Sequence, residues 1–134
     1  MTRWGAPVIS ALFLFLGGCA GDGSTFGEGG IPLEPTLESI QANIFDLRCT
    51  SCHTVGGSAP FSLDSGLSYD TMVGVPSTNL CFGVDRVEPG EPDDSCLVRV
   101  IEGFVLPQMP LGGAPLSEEE IQAIRDWIQG GAEP

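Results

Sequence analysis

Apolar side chains recur at helical spacing from Leu37 onward: Leu37, Ile40, Ile44 and Leu47 stand at i, i+3, i+7 and i+10, with Glu38, Gln41 and Arg48 on other faces. Thr36 is placed to cap this helix, which runs directly into Cys49. A better-signed helix closes the chain. Ser117 and Glu120 have the spacing of a capping box, and Glu118, Glu119 and Glu120 put negative charge at the positive end of the helix dipole. Ile121, Ile124 and Ile128 form its apolar face with Trp127 at the edge, and Gly130-Gly131 end it. Two amphipathic helices at opposite ends of a small domain are expected to pack on each other. Between them the pattern predicts only short helices. One carries Leu67, Met72 and Val73 behind Asp64-Ser65; the other carries Leu97, Val98 and Ile101 behind Asp94 or Ser95 as cap. Val75 to Val87 is irregular, and no internal repeat is visible. The expected fold class is all-α, with a loop-rich middle.

The first thirty residues follow a different rule. Residues 1–18 carry one charged side chain, Arg3, and an apolar run from Pro7 to Leu16, too short to span a bilayer as a helix but suited to a signal-peptide core. The run stops at Leu16-Gly17-Gly18-Cys19, which resembles the bacterial lipobox, where the Cys receives lipid and becomes the mature N-terminus. The plainer alternative is an ordinary secretory signal that leaves Cys19 as a free thiol. On either reading the protein is exported. Residues 19–32 are rich in Gly and have almost nothing to bury, so they read as a flexible tether ahead of a domain at 33–131.

In that domain Cys49-Thr50-Ser51-Cys52-His53 reads as Cys-x-x-Cys-His, the attachment site of a c-type haem. Two thiols at this spacing each add across one vinyl group, S to one carbon and H to the other, and the adjacent His then ligates the iron. A zinc site would need a second Cys or His pair, and His53 is the chain's only histidine. A thioredoxin-like motif would need a βαβ surround that the pattern lacks. A coincidental or disulfide-bonded pair is the remaining alternative. The glycine-rich Thr54 to Pro60 suits the wrap under the ring, with the Pro60 carbonyl expected to hold the second His53 ring nitrogen. If Cys19 takes lipid and Cys49 with Cys52 take one haem c, Cys81 and Cys96 remain, and in an oxidising compartment they are expected to close a loop worth on the order of 3 kcal/mol.

The stretch Phe104 to Gly113 is the second that carries chemistry. Pro107 and Pro110 flank Met109 in a stiff, non-helical segment, and Met sulfur opposite His is a common axial pair that raises the reduction potential. With no second His and no Lys, the distal position falls to a Met, a terminal amine, water or nothing. Met72 competes but sits in a helical stripe, where methionine is more often core filler.

The order of these features resembles class I monohaem cytochromes c across roughly 33–131. A closer likeness is to the cytochrome-like lipoproteins of planctomycetes and myxobacteria, in which a Pro-Gly-x-Pro-x-x-Ser segment like Pro89 to Ser95 precedes a Met-Pro and a Leu-Ser-x-x-Glu-Ile helix like Leu116 to Ile121. The resemblance implies covalent haem c, His53 and Met109 as axial iron ligands, and electron transfer without a catalytic residue. The long segment between Val75 and Ser95 departs from the family pattern.

Charge narrows the partners. Eighteen Asp and Glu stand against five Arg, a formal net charge of -13. Such a surface disfavours nucleic acid and favours basic redox partners at low ionic strength, although acidity that serves only solubility fits equally well. Asp85, Glu88, Glu91, Asp93 and Asp94 cluster with Pro89-Gly90 and Pro92 between them. Their spacing matches no EF-hand loop, so a solvated acidic face is favoured over a calcium site. The expected function is electron transfer by an exported protein on the periplasmic or cell-surface side of a bacterial membrane, lipid-anchored through Cys19, with no small-molecule substrate. The alternative is a haem enzyme of peroxidase type or a gas sensor with an open distal site. That reading needs an acid-base residue beside the iron, and neither Arg99 nor Glu102 has a particular claim to the place.

Overall fold

The computed structural model of the protein describes residues 32–134. The signal segment, Cys19 and all but the last residue of the tether lie outside the described residues. Within them regular structure is helical, apart from isolated bridges such as Val73 with Val87 and Pro76 with Asp85. No helix among the described residues is long and apolar enough to cross a membrane.

The first helix opens as α1, Leu37–Ile40, with Thr36 Oγ1 accepting from the Ser39 amide at 3.3 Å, the cap expected from sequence. It continues without a break as a π-helical segment, Gln41–Cys49, closed by an i→i+5 bond of 3.0 Å from Thr50 N–H to the Phe45 carbonyl. Wider turns take up more residues each, so the buried face drifts away from the α-period. Ile40, Ile44 and Phe45 are buried, while Leu47, placed on the inner face by the sequence pattern, is 49% exposed. The same drift packs Cys49 against the core.

The closing helix α4, Glu118–Gln129, carries the full capping box: Ser117 Oγ accepts from Glu120 N–H at 3.2 Å, and Glu120 Oε2 accepts from Ser117 N–H at 2.7 Å. Its buried face is Ala123, Ile124, Trp127 and Ile128, and the Trp127 indole donates to the Glu133 carbonyl at 2.7 Å. The chain's first and last helices pack together as expected. Arg48 clamps this junction, pairing with Glu120 at 3.3 Å and donating to the Ala114 carbonyl at 2.8 Å.

Two short helices lie between. α2 is Ser68–Met72 and α3 is Cys96–Ile101, preceded by a 3₁₀ turn at Pro92–Asp94. The expected side-chain caps are absent from both. Ser95 stands at the N-cap of α3 but makes no capping bond; its fully buried hydroxyl instead accepts from Glu88 N–H at 2.9 Å and donates to the Glu91 carbonyl at 3.0 Å, folding the acidic loop. The first amides of α3 are met from a distance, Cys96 N–H by the Asp85 carbonyl and Leu97 N–H by that of Arg86, both at 2.9 Å. Cys81 and Cys96 form a disulfide, Cα atoms 5.7 Å apart, which fastens the irregular segment to α3. Two of the acidic loop's five carboxylates are paired, Asp94 with Arg99 and Asp93 with Arg125.

Candidate functional site

The π-helical segment delivers Cys49 into a turn that keeps helical bonding for one more step: Cys52 and His53 N–H both donate to the Cys49 carbonyl, at 3.1 and 2.9 Å. The chain then folds back on itself. Ala59 N–H donates to the Cys52 carbonyl at 3.1 Å, and Leu63 N–H to the His53 carbonyl at 2.7 Å. Gly57 is required in this fold, because a Cβ there would collide with the Cys52 carbonyl. Asp64, expected to cap α2, instead braces the loop: one carboxylate oxygen accepts from Thr54 Oγ1 at 2.9 Å and from Val55 N–H at 3.0 Å. These donors hold its pKa below the usual carboxylate value, the Val55 amide most of all.

His53 Nδ1 lies 3.2 Å from the Phe61 carbonyl, one residue beyond the Pro60 expected from sequence. A carbonyl only accepts, so Nδ1 carries the proton and Nε2 keeps its lone pair. Burial lowers the pKa of His53, the Phe61 bond opposes this, and the nearby Arg86 charge lowers it further. The neutral, metal-binding form is therefore favoured. The Phe61 ring packs on the imidazole, centroids 4.6 Å apart and planes tilted by 52°.

Cys49 and Cys52 are unbonded thiols. Burial, with a smaller push from Glu120 against a pull from Arg48, raises Cys49 to about 11, so the thiol stays protonated at neutral pH.

Both cysteines and His53 line a cavity of about 350 Å³, within the range of roughly 300–1,000 Å³ usual for small-molecule and cofactor sites. Leu63, Met72, Leu97, Val100, Ile101 and Leu116 give it apolar walls. Met109 lines it too, so the structure brings Cys49, Cys52, His53 and Met109 to one space. Met72 borders the same cavity but is almost fully buried as part of the core.

Met109 is positioned by α3. A short helix leaves its last carbonyls without helical partners. Here Glu102 N–H takes that of Val98 at 3.0 Å, Val105 N–H that of Arg99 at 3.1 Å, Met109 N–H that of Val100 at 2.9 Å, and Gln108 Nε2 that of Ile101 at 3.0 Å. The methionine segment is thus the C-terminal cap of α3. Around this anchor Phe104, Leu106 and Leu111 are 78%, 75% and 66% exposed.

A second hollow, beside the acidic loop, is lined by Asp85, Glu88, Glu91 and Asp94. Partial burial and the neighbouring carboxylates raise the Glu88 pKa. Among the described residues no three His, Cys, Asp or Glu side chains are grouped to hold a metal ion. Arg99 and Glu102 do not line the main cavity; they pair with Asp94 and Arg125.

The donor set fits a covalent haem: two free thiols two residues apart, one imidazole with a free Nε2, a thioether, and largely apolar walls. Sequence reasoning missed two residues of this site. Asp64, read as a helix cap, braces the attachment loop. Arg86 lines the cavity, 4.2 Å over the Phe61 ring and donating to the Thr71 carbonyl at 2.6 Å. Its sequence signal is faint, an isolated Arg in a run with no period. Comparison of the chain with protein-family models, with curated proteins and with solved structures found no match.

Proposed function

We propose that this chain is a monohaem c-type electron carrier of class I cytochrome type, exported and held at a membrane through a lipid on Cys19. The observation that carries the reading is the convergence of Cys49, Cys52, His53 and Met109 on one apolar cavity. When bound, haem supplies a one-electron ferric/ferrous couple. The chain's own contributions follow from the geometry. Cys49 and Cys52 provide the two thioether attachments, and His53 offers Nε2 to the iron with its tautomer set by Phe61. Met109 would offer its sulfur from a segment pinned to α3, beside a largely aliphatic wall. If His53 and Met109 both ligated the iron, no position would be left for a substrate, and the role left to the protein would be exchange of electrons with partners. The net charge favours basic ones.

The test is an optical spectrum of the full chain produced with a haem-attachment system, ferric and then dithionite-reduced, with the ferric near-infrared scanned for the methionine-sulfur charge-transfer band. A low-spin c-type spectrum with that band is expected. High-spin ferric iron that binds carbon monoxide on reduction and turns over peroxide would replace this reading with a haem enzyme or sensor.

A further inference from the structure

Phe61, Ser62 and Leu63 bring the attachment loop back to the core, and each of their three carbonyls is taken by a side chain. His53 Nδ1 meets that of Phe61 at 3.2 Å, Thr71 Oγ1 donates to that of Ser62, and Gln41 Nε2 donates to that of Leu63 at 2.8 Å. The Leu63 amide in turn donates to the His53 carbonyl at 2.7 Å, so the segment holds His53 by its ring and by its backbone. Its seat against the imidazole is therefore set from the far side, by Thr71 and Gln41.

Gln41 makes the wider set of contacts. The helical pattern puts it on a polar face, yet it is only 7% exposed. Its amide is engaged at both ends. One Nε2 hydrogen goes to the Leu63 carbonyl and the other to Asp46 Oδ1, one π-turn along the same helix, while Oε1 accepts from Ser68 Oγ at 2.6 Å. Burying an amide is costly unless such bonds offset it, and here they do. One side chain thus ties the helix that delivers Cys49 to the segment that faces His53, and both to α2.

We propose that Gln41 is a positioning residue for His53: by holding the Leu63 carbonyl it keeps the Phe61 carbonyl on His53 Nδ1, and so sets how strongly the imidazole donates through Nε2. This rests on the haem reading, in which Nε2 meets the iron. A carbonyl that accepts from Nδ1–H raises the basicity of Nε2, and a more basic ligand favours the ferric state. Gln41 touches neither the ring nor the cavity; it acts through residues 61–63.

The experiment compares the haem-loaded full chain with its Gln41→Met and Ser68→Ala variants. Gln41→Met keeps the length of the side chain and removes both donors. Ser68→Ala removes a bond to the same amide but leaves Nε2 between its two acceptors. Midpoint potentials are read by spectroelectrochemistry, exchange of the His53 ring N–H by NMR of the reduced protein, and stability by urea titration. Gln41→Met is expected to stay low-spin, to speed exchange of the ring N–H and to shift the ferric/ferrous equilibrium toward ferrous by up to about tenfold, roughly 59 mV for one electron. Ser68→Ala is expected to lose stability while its potential and ring exchange stay at the wild-type values. An unchanged potential or ring exchange in loaded Gln41→Met, or a shift toward ferric, overturns the proposal. Equal changes in the two variants also overturn it, because the effect would then follow stability rather than the Leu63 bond. If Gln41→Met carries no haem, Gln41→Asn, whose shorter amide falls short of the Leu63 carbonyl, is held to the same signs. Failure of both to load overturns the proposal too, since Gln41 would then serve folding or attachment rather than the setting of His53. Wild type without covalent haem defeats the haem reading itself, an outcome distinct from the rest.

Discussion

The cavity has two kinds of wall. The attachment loop, Cys49 to Leu63, closes on itself: its carbonyls are taken by its own amides, and Asp64 braces it from just beyond. The methionine segment, Phe104 to Gly113, is anchored by contrast to a neighbour. Its amides and the Gln108 side chain satisfy the last carbonyls of α3, and several of its apolar side chains face solvent. The difference separates holding from tuning. A loop that is internally complete fixes Cys49, Cys52 and His53 relative to one another whatever happens elsewhere, whereas a segment hung on a six-residue helix places Met109 only as well as that helix is placed.

The largest effects should fall on the first wall. Replacing both Cys49 and Cys52 by Ala is expected to abolish covalent haem entirely, read as haem staining after a denaturing gel; staining that survives would show that these thiols are not the attachment points. On the second wall the group should be kept and its ligation changed. Met109→Ala is expected to retain full staining, lose the near-infrared sulfur band and open the iron to carbon monoxide. Met72→Ala, which removes a buried core side chain, should keep the band and cost about 2–5 kcal/mol of stability. If the two methionine variants exchange these signatures, the ligand is Met72.

Opening the Cys81–Cys96 bridge probes how far the second wall depends on α3. The pair closes a separation of 15 residues, so the Cys81→Ser/Cys96→Ser double variant should lose about 3 kcal/mol in denaturant titration. It should also weaken the sulfur band before it affects covalent haem, since the bridge holds the helix that presents Met109 and not the attachment loop. Equal loss of both signals would mean that the two walls fold as one unit. A subtler change on the same wall is Gly103→Ala. Gly103 has φ +79°, and an added Cβ would sit 3.2 Å from the Gln108 side chain, so about 1–3 kcal/mol of strain is expected, with broadening of the sulfur band but no loss of haem. An unchanged band would show that Gln108 does not hold Met109 in register.

The same contrast runs through what was legible in the sequence. α4 could be read almost residue by residue, because its cap, dipole charges and buried face are all local and agree. The Cys-x-x-Cys-His spacing was legible as a candidate site, and the structure brings Cys49, Cys52 and His53 to one cavity. The first helix was legible in position but not in phase: Leu37, Ile40, Ile44 and Leu47 fit an α-period, and nothing local announces the switch to i→i+5 bonding that turns Leu47 outward. α3 was predicted as a helix, but both of its ends are completed from a distance, by the Asp85 and Arg86 carbonyls at one end and the methionine segment at the other. Such partners leave no periodic trace. Arg86 was missed for the same reason; its place at the cavity wall comes from the Thr71 carbonyl and the Phe61 ring, both distant in sequence. The pairing of Cys81 with Cys96 came from counting cysteines and is present in the structure.

The smallest expected effect concerns the brace on the attachment loop. Asp64 accepts from the Val55 amide and the Thr54 hydroxyl, and its pKa is lowered in the folded protein. A carboxylate whose folded pKa lies below its unfolded value stabilises the fold above the unfolded value, about 4, and that contribution is lost as pH falls through the lower folded value. Asp64→Asn removes the titration; its amide oxygen can still accept both bonds, which go to one oxygen of Asp64, but as a neutral and weaker acceptor. The urea midpoint of the variant should therefore lie below that of wild type at pH 7, and the gap should narrow steadily below about pH 4. Covalent haem and the sulfur band should be the same in both. A gap that stays constant across this range would mean that Asp64 braces the loop by shape alone, while a gap that widens in acid would reverse the sign of the linkage and remove its carboxylate from the support of the first wall.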